Sequence, residues 1–297
     1  MNKEIERQLE REGGVPIEIK PDWKRAIEVG AEVTKFWKEH YPFEIEVTLR
    51  PEAEYPNRPQ LHYFDSDWHL GAIGFSGEKF KNEIEVLEKT PNSFLHTVGD
   101  DIDIGLFKDL AHLQAIPRYS QALAMRSLAI ELSRFNPREK QIWLTATGGN
   151  HTFTVFERIG FLYEDFLLDT NLALFPGMGK LHLQVGSQEY QVALAHKHMG
   201  RSKLNLTLAA KRLMEYYMPT ADISVVGHYH EKAIEEFDRG GQEKTAIALG
   251  TRRTQEQIFE LSRGYGQTSE GGVAVVLFPN EHKVLPFREL KDAIKHL

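Results

Sequence analysis

The chain reads as an α/β protein, and two features of its pattern say so. From Gln60 onward short apolar runs alternate with helical segments, and three later strand candidates supply a second β-rich layer. A further regularity points to function: five apolar runs each end on a block rich in Asp, Asn or His.

Taken in order, residues 1–14 are highly charged and close on Gly13-Gly14, which reads as a frayed helix or tail. Pro21-Asp22-Trp23 resembles a helix start, and Trp23, Ile27, Val33, Phe36 and Trp37 give it an apolar stripe for core packing or for a partner. Pro51, Pro56 and Pro59 punctuate the next stretch, so residues 1–58 are expected to form a helical or extended appendage and 59–297 the main domain. There, Leu61 to Phe64 is a strand, Glu78 to Lys89 a helix, and Ser93 to Val98 a second strand. Tyr119 to Phe135 is a long helix closed by Asn136-Pro137, and Gln141 to Thr145 a third strand. Lys180 to Val185 and Glu189 to Ala195 flank Gly186-Ser187 as a hairpin. A helix over Lys203 to Tyr217 precedes the strand Ile223 to Val226. Strands Lys232 to Glu236, Lys244 to Leu249 and Val273 to Phe278 complete the second layer.

Composition excludes several classes. With 297 residues, 41% hydrophobic and 27% charged, the chain can bury a substantial core. A net charge of −7 gives no global reason to bind nucleic acid or anionic lipid, although a local basic patch is allowed. The absence of cysteine removes disulfides, zinc–thiolate sites and cysteine nucleophiles, so any metal must be held by nitrogen and oxygen. No apolar leader and no run long enough to cross a bilayer is seen, so the expected location is cytoplasmic, with no membrane partner. There is no Gly-x-x-x-x-Gly-Lys-Ser/Thr loop of a nucleotide-driven motor.

The blocks are Asp65-Ser66-Asp67-Trp68-His69, Gly99-Asp100-Asp101-Ile102-Asp103, Gly148-Gly149-Asn150-His151, His196-Lys197-His198 and Gly227-His228-Tyr229-His230. In an open α/β sheet ligands collect at the carboxyl ends of strands, so five such ends would face one crevice. Carboxylate with imidazole suits manganese, iron or zinc. One carboxylate such as Asp100 can bridge two cations roughly 3.5–4 Å apart, a spacing suited to phosphoryl displacement. One ion would make hydroxide available near neutral pH while the other withdraws charge from the phosphate. No side-chain nucleophile is then needed. Two histidines one residue apart point to opposite faces of a strand, but a turn beginning at Gly227 can swing both into one cavity.

In the order of these blocks the chain resembles the calcineurin-like metallophosphoesterases, whose pattern runs Asp-x-His, Gly-Asp, Gly-Asn-His, an isolated His and Gly-His-x-His. The resemblance spans roughly residues 60–232 and implies a four-layer α/β/β/α metallophosphoesterase sandwich with an N-terminal appendage. It further implies that Asp67, His69 and His230 hold one metal, that Asp100 bridges, and that Asn150, His196 and His228 hold the second. By the same resemblance His151 protonates the leaving oxygen or steadies the transition state; its other reading is a histidine hydrogen-bonded behind the ligands. Two divalent ions are implied, manganese first, with iron, zinc or nickel as alternatives.

Three departures limit the match. Thr152 stands where an acidic residue is frequent, and the Asp100 to Asn150 gap carries an extra helix that would shape the substrate entrance. His196 is favoured over His198 as the ligand because it stands at the strand end, leaving His198 as a phosphate contact or a surface residue. Asp65, Asp101 and Asp103 are either acceptors behind the ligands or solvated acids, Asp103 having the better case. Lys197, Arg201, Lys203, Arg252 and Arg253 are candidates for a basic rim that draws in a phosphate chain, and Trp68, Tyr229 and Tyr265 for base stacking.

These readings lead to a phosphodiesterase or nuclease acting on nucleic acid or nucleotides by attack of a metal-bound hydroxide, with DNA or RNA as partner. The alternatives are a phosphomonoesterase or small-nucleotide phosphatase, and a scaffold that keeps the fold. Trp23, Phe36 and Trp37 leave open a homodimer through the appendage.

Overall fold

A computed structural model describes residues 44–72, 74–102, 141–151, 170, 172–200, 202–253 and 268–297. The chain divides between Pro42 and Phe43, and the described residues all belong to the second unit. The helix expected to start at Pro21 and the one expected over Tyr119 to Phe135 lie outside them.

Two six-stranded sheets form the domain. In one the order is β1 (Glu44–Leu49), β6 (Met178–Val185), β7 (Gln188–Ala195), β8 (Ile223–Val226), β10 (Gln242–Ala248), β9 (Ala233–Arg239). In the other it is β12 (Val284–Phe287), β11 (Val273–Leu277), β2 (Gln60–Asp65), β3 (Ser93–Val98), β4 (Trp143–Thr147), β5 (Ala173–Phe175). β2, β3, β4 and β5 run parallel, as do β7, β8 and β10. The β6–β7 and β9–β10 pairs are antiparallel hairpins.

Alternation along each strand sorts side chains into three cores. Phe64, Val98 and Val275 from one sheet meet Leu183, Val192 and Val225 from the other in the space between them. The opposite face of the β2 sheet, through Leu61, Leu95 and Trp143, is covered by α1 (Gly77–Lys89) through Phe80, Ile84 and Leu87, and by the helical turn Leu290–Ala293. The outer face of the β7–β8 sheet, through Ala193, Val226 and Ala246, packs against α2 (Leu208–Tyr216) through Ala209, Leu213 and Met214. Helix, sheet, sheet and helix make the four layers expected of an α/β/β/α sandwich.

Several elements differ from the expectation. β1 falls within the span assigned to the appendage, yet Ile45, Val47 and Leu49 pack on the inter-sheet core and the strand pairs in parallel with β6. β4 ends two residues later than expected, because Ala146 and Thr147 remain buried in the sheet. α2 begins at Leu208 rather than Lys203, since the Ser202 hydroxyl accepts the backbone N–H groups of Leu204 and Asn205 and holds a turn there. Among the described residues no helix is long and apolar enough to cross a membrane.

Candidate metal centre

The five blocks leave β2, β3, β4, β7 and β8 at one end of the sandwich, and backbone hydrogen bonds tie them together. Asp67 N–H donates to Gly99 O, His69 N–H to Asp100 O, and Gly227 N–H to Ala195 O. Side chains complete the lacing. Asp67 Oδ2 accepts the His228 N–H at 2.8 Å and the Ser66 hydroxyl at 2.5 Å, while Asp100 Oδ1 accepts the His151 N–H at 2.8 Å.

Asp67, His69, Asp100, His228 and His230 all have positive φ, between 49° and 68°. Asn92 is the sole other non-glycine residue among those described that shares this conformation. Left-handed backbone in non-glycine residues is uncommon and gathers at functional sites, where the surrounding structure over-determines it. This backbone is what turns both His228 and His230 inward, so that alternation along a strand does not apply to them.

Two glycines of the blocks are explained by close approach. A Cβ on Gly149 would stand 2.2 Å from Asp100 Oδ1, and one on Gly227 would stand 2.1 Å from Ser66 Oγ. Only a residue without a side chain admits the neighbouring block so near.

The ligand-type atoms converge in overlapping groups: Asp67 with His69 and His230, Asp100 with His196 and His228, and Asp100 again with His69 and His151. His230 Nε2 is 3.0 Å from Asp67 Oδ1 and 3.3 Å from His69 Nε2. His196 Nε2 is 3.0 Å from Asp100 Oδ2 and 3.1 Å from Asn150 Oδ1. For metal–ligand bonds of about 2.1 Å, two ligand atoms stand about 3.0 Å apart at a right angle and about 3.4 Å apart at the tetrahedral angle. These separations therefore fit ligands to common cations. His196 Nδ1 lies 2.8 Å from Val98 O and donates to it, which leaves Nε2 as the nitrogen that faces Asp100 and could serve as a ligand.

Electrostatics agree with that fit. Burial disfavours ionised Asp67 and Asp100, but the imidazole of His196, with His230 beside Asp67 and His151 beside Asp100, holds both carboxyls well below the usual range. Burial also works against protonated His196, yet Asp100 and Asp67 outweigh it and raise the imidazole to about 9. Burial and the neighbouring His196 push His228 down to about 4, so it is neutral near pH 7 and available as a ligand. The two enclosed carboxylates thus demand positive charge, which a proton on His196 supplies when no cation does.

The remaining candidates separate. His196 converges on Asp100; His198 lies to the side, half-buried, in a cavity of about 570 Å³ that it lines with Lys197, Met199, Gly200, His228 and Tyr229. The Tyr229 hydroxyl donates to His198 O, and its half-buried ring packs in part against the α2 core while also lining the cavity. Trp68 is 1% exposed and packs on Phe80 and Trp143, so it offers no stacking surface. Arg252 does not belong to a basic rim, because it is wholly buried against Asp65 and Glu83. Asp65 is correspondingly not a solvated acid, and Asp101 is buried beside Thr97. Lys197 and Lys203 are exposed. Arg201, Asp103 and Tyr265 lie outside the described residues.

Two contributors escaped the reading of the sequence. Ser66 Oγ bridges Asp67 Oδ2 and Val98 O, and Thr251 Oγ1 donates to Asp67 O. A small hydroxyl residue next to a ligand was the available signal for Ser66; Thr251 is 184 residues from Asp67 and had none.

No protein-family model matches the sequence. No curated protein matches it either. Among solved structures, vacuolar protein sorting 29 from Cryptosporidium parvum is 13% identical, over 77% of this chain and 97% of that one, with a TM-score of 0.42. The nuclease MPE of Pseudomonas putida is 11% identical, over 76% and 87% of the two chains, with a TM-score of 0.34. Vps29 of Entamoeba histolytica, solved with Zn2+, is 12% identical over 77% and 97%, with a TM-score of 0.33. In the order of its five blocks and the four layers that carry them, this chain resembles the calcineurin-like metallophosphoesterases.

Proposed function

We propose that this chain is a dinuclear metal-dependent phosphoesterase, and that its substrates are phosphodiesters of nucleic acid or nucleotides. The observation that carries the reading is the position of Asp100, whose carboxylate falls in one ligand group with His196 and His228 and in another with His69 and His151. Asp67, His69 and His230 would hold one cation, Asn150, His196 and His228 the other, with Asp100 shared. Divalent cations there, manganese foremost, would supply Lewis-acid polarisation of phosphate oxygens and acidify coordinated water.

The chain's own groups do the rest. His151 is 8% exposed, its ring stands edge-on to His69 with centroids 4.8 Å apart, and its N–H is fixed to Asp100. It stands near His69 and Asp100 but apart from the His196–Asn150 set, its Nε2 3.9 Å from Asp100 Oδ2, and the role assigned to it is delivery of a proton to the leaving oxygen. Lys197 contributes a cation at the mouth of the cavity next to His228. A cavity of about 570 Å³ lies within the range that accommodates a drug-sized or nucleoside-sized group, as a diester requires beyond the scissile phosphate. No residue among those described provides a nucleophilic serine–histidine–acid set in this crevice, in keeping with direct attack by water.

The test is hydrolysis by purified protein with manganese of bis-p-nitrophenyl phosphate against p-nitrophenyl phosphate. The diester is expected to be the faster substrate. Faster monoester cleavage would shift the assignment to a phosphomonoesterase, and no cleavage with two bound ions would leave a metal-binding scaffold.

A further inference from the structure

Among the described residues Arg252 is the largest charged side chain that the sandwich buries completely, and nothing in the proposed chemistry uses it. Its Nε and Nη2 donate to Asp65 Oδ2 at 2.8 and 2.6 Å, and Nη2 also reaches Glu83 Oε2 at 2.5 Å and Tyr63 Oη at 3.0 Å. Burying a guanidinium costs several kcal/mol unless its partners are well placed, so a surface reason for keeping arginine there is absent.

What surrounds the pair is the strained ligand loop. Asp65 Oδ1 accepts the Ser66 N–H at 3.1 Å, and Asp65 Oδ2 accepts the Trp68 indole N–H at 2.8 Å. The residues on either side of Asp67 are thus held by one carboxylate. The loop carrying Arg252 takes the other side: Arg252 N–H donates to Asp67 O at 3.0 Å, and Thr251 Oγ1 donates to the same oxygen at 2.9 Å. Thr251 N–H in turn donates to Ser269 O, and Ser269 N–H to His230 O. The Thr251–Arg252 segment therefore connects the backbone of Asp67 to that of His230, two members of one ligand group separated by 163 residues, and the Asp65–Arg252 ion pair pins that segment to the loop that carries Asp67.

We infer that Asp65 and Arg252 are positioning residues for the Asp67–His69–His230 metal site, fixing the left-handed turns at Asp67 and His69 in ligand-ready form before a cation arrives. The inference rests on the proposed dinuclear reading. It predicts an asymmetry: loosening the pair weakens the site of Asp67, His69 and His230 more than that of Asn150, His196 and His228, whose tie to the Asp67 loop is the bond from His228 N–H to Asp67 Oδ2.

The experiment is manganese binding by equilibrium dialysis, with circular dichroism as the check on folding. Arg252→Lys keeps the charge but lacks the planar fork that reaches three acceptors. The double variant Asp65→Asn/Arg252→Met removes both charges, so that neither is left buried alone. Glu83→Gln, on the solvent side of Arg252, is the control. The expected result is a wild-type stoichiometry of two, with one class of site weakened on the order of 10–100-fold in Arg252→Lys and in the double variant, as for other groups that orient ligands. Glu83→Gln should stay within about threefold of wild type on the same scale. Should the double variant fail to fold, Arg252→Lys decides alone. Folded variants that bind both ions with wild-type affinity, even at a lowered melting temperature, overturn the inference and leave the pair a stability element. Wild-type protein that binds no manganese overturns the dinuclear reading instead.

Discussion

His96 should make this domain sensitive to mild acid. The residue lies at the centre of β3 in the inter-sheet core, fully buried, stacked on Phe64 with ring centroids 4.8 Å apart. Both ring nitrogens are engaged, Nε2 with His62 Nδ1 and Nδ1 with Thr145 Oγ1, each at 2.9 Å. Burial pushes its imidazole down to about 3, against about 6.5 in an unfolded chain. Between those two values the unfolded chain binds a proton that the folded one refuses, so stability is full above pH 6.5 and falls as pH drops towards 3. Each pH unit in that window costs about 1.4 kcal/mol, so lowering the pH from 7.5 to 4.5 should remove about 2.7 kcal/mol through this one group. That is a large share of a net stability of about 5–15 kcal/mol. Urea unfolding followed by tryptophan fluorescence, in EDTA so that loss of metal adds nothing, measures it. His96→Phe should be less stable at pH 7.5 by roughly 1–3 kcal/mol, because Thr145 and His62 lose a partner in a dry core. Its curve should nevertheless fall less steeply, so that the two proteins converge near pH 5. If the variant loses stability between pH 6.5 and 4.5 as steeply as the wild type, burial of neutral His96 is not the cause.

The centre itself supports three further expectations. Asp100→Asn should abolish phosphodiesterase activity and manganese occupancy together, read by metal analysis after dialysis, because the charge shared between the ligand groups is gone; retention of both ions would remove Asp100 from the bridging role. His151→Ala should keep both ions and lower kcat by roughly 10²–10⁴-fold with KM little changed, the range expected for loss of a positioned proton donor. Loss of metal in that variant would make His151 a ligand instead. Gly149→Ala places a methyl 2.2 Å from Asp100 Oδ1 and 2.5 Å from the Asp100 backbone nitrogen, so manganese affinity should fall at least about tenfold and the melting temperature should fall as well; unchanged affinity would mean that the Asp100 loop can shift without disturbing the ligand group.

What the sequence disclosed of this arrangement was its local part. Each block follows an apolar run, and the parallel course of β2, β3 and β4 brings three of them to one edge, so the crevice could be read before the pairing of strands was known. β1 was missed although Ile45, Val47 and Leu49 alternate with polar residues, because its partner Met178 to Leu183 lies more than 130 positions away and no turn signals the pairing. Arg252 was misread for the same reason. An arginine after Gly250-Thr251 looks like a surface cation until Asp65 is found 187 residues upstream, and Trp68 looks like a stacking platform until Phe80 and Trp143 close over it. Long-range pairs of this kind leave no periodicity in the chain. Residue type singled out the candidate ligands, and only the folded backbone showed what holds them in place.

The left-handed residues explain why so much of the surrounding structure is committed to them. Five such turns at about 1–3 kcal/mol each amount to roughly 5–15 kcal/mol, the size of a domain's entire net stability. No single hydrogen bond, at about 1 kcal/mol net, could maintain them. They persist because each is held from several directions: Asp67 by Gly99, Ser66, His228, Thr251 and Arg252, and Asp100 by His69, His151 and His196. Residues that follow six strands in two sheets contribute those contacts. The strain is therefore spread over the sandwich rather than stored in one loop, and a cation reaching the crevice would meet candidate ligands already gathered. Its binding energy need not be spent on ordering them, which is the physical advantage of building the site at the ends of strands.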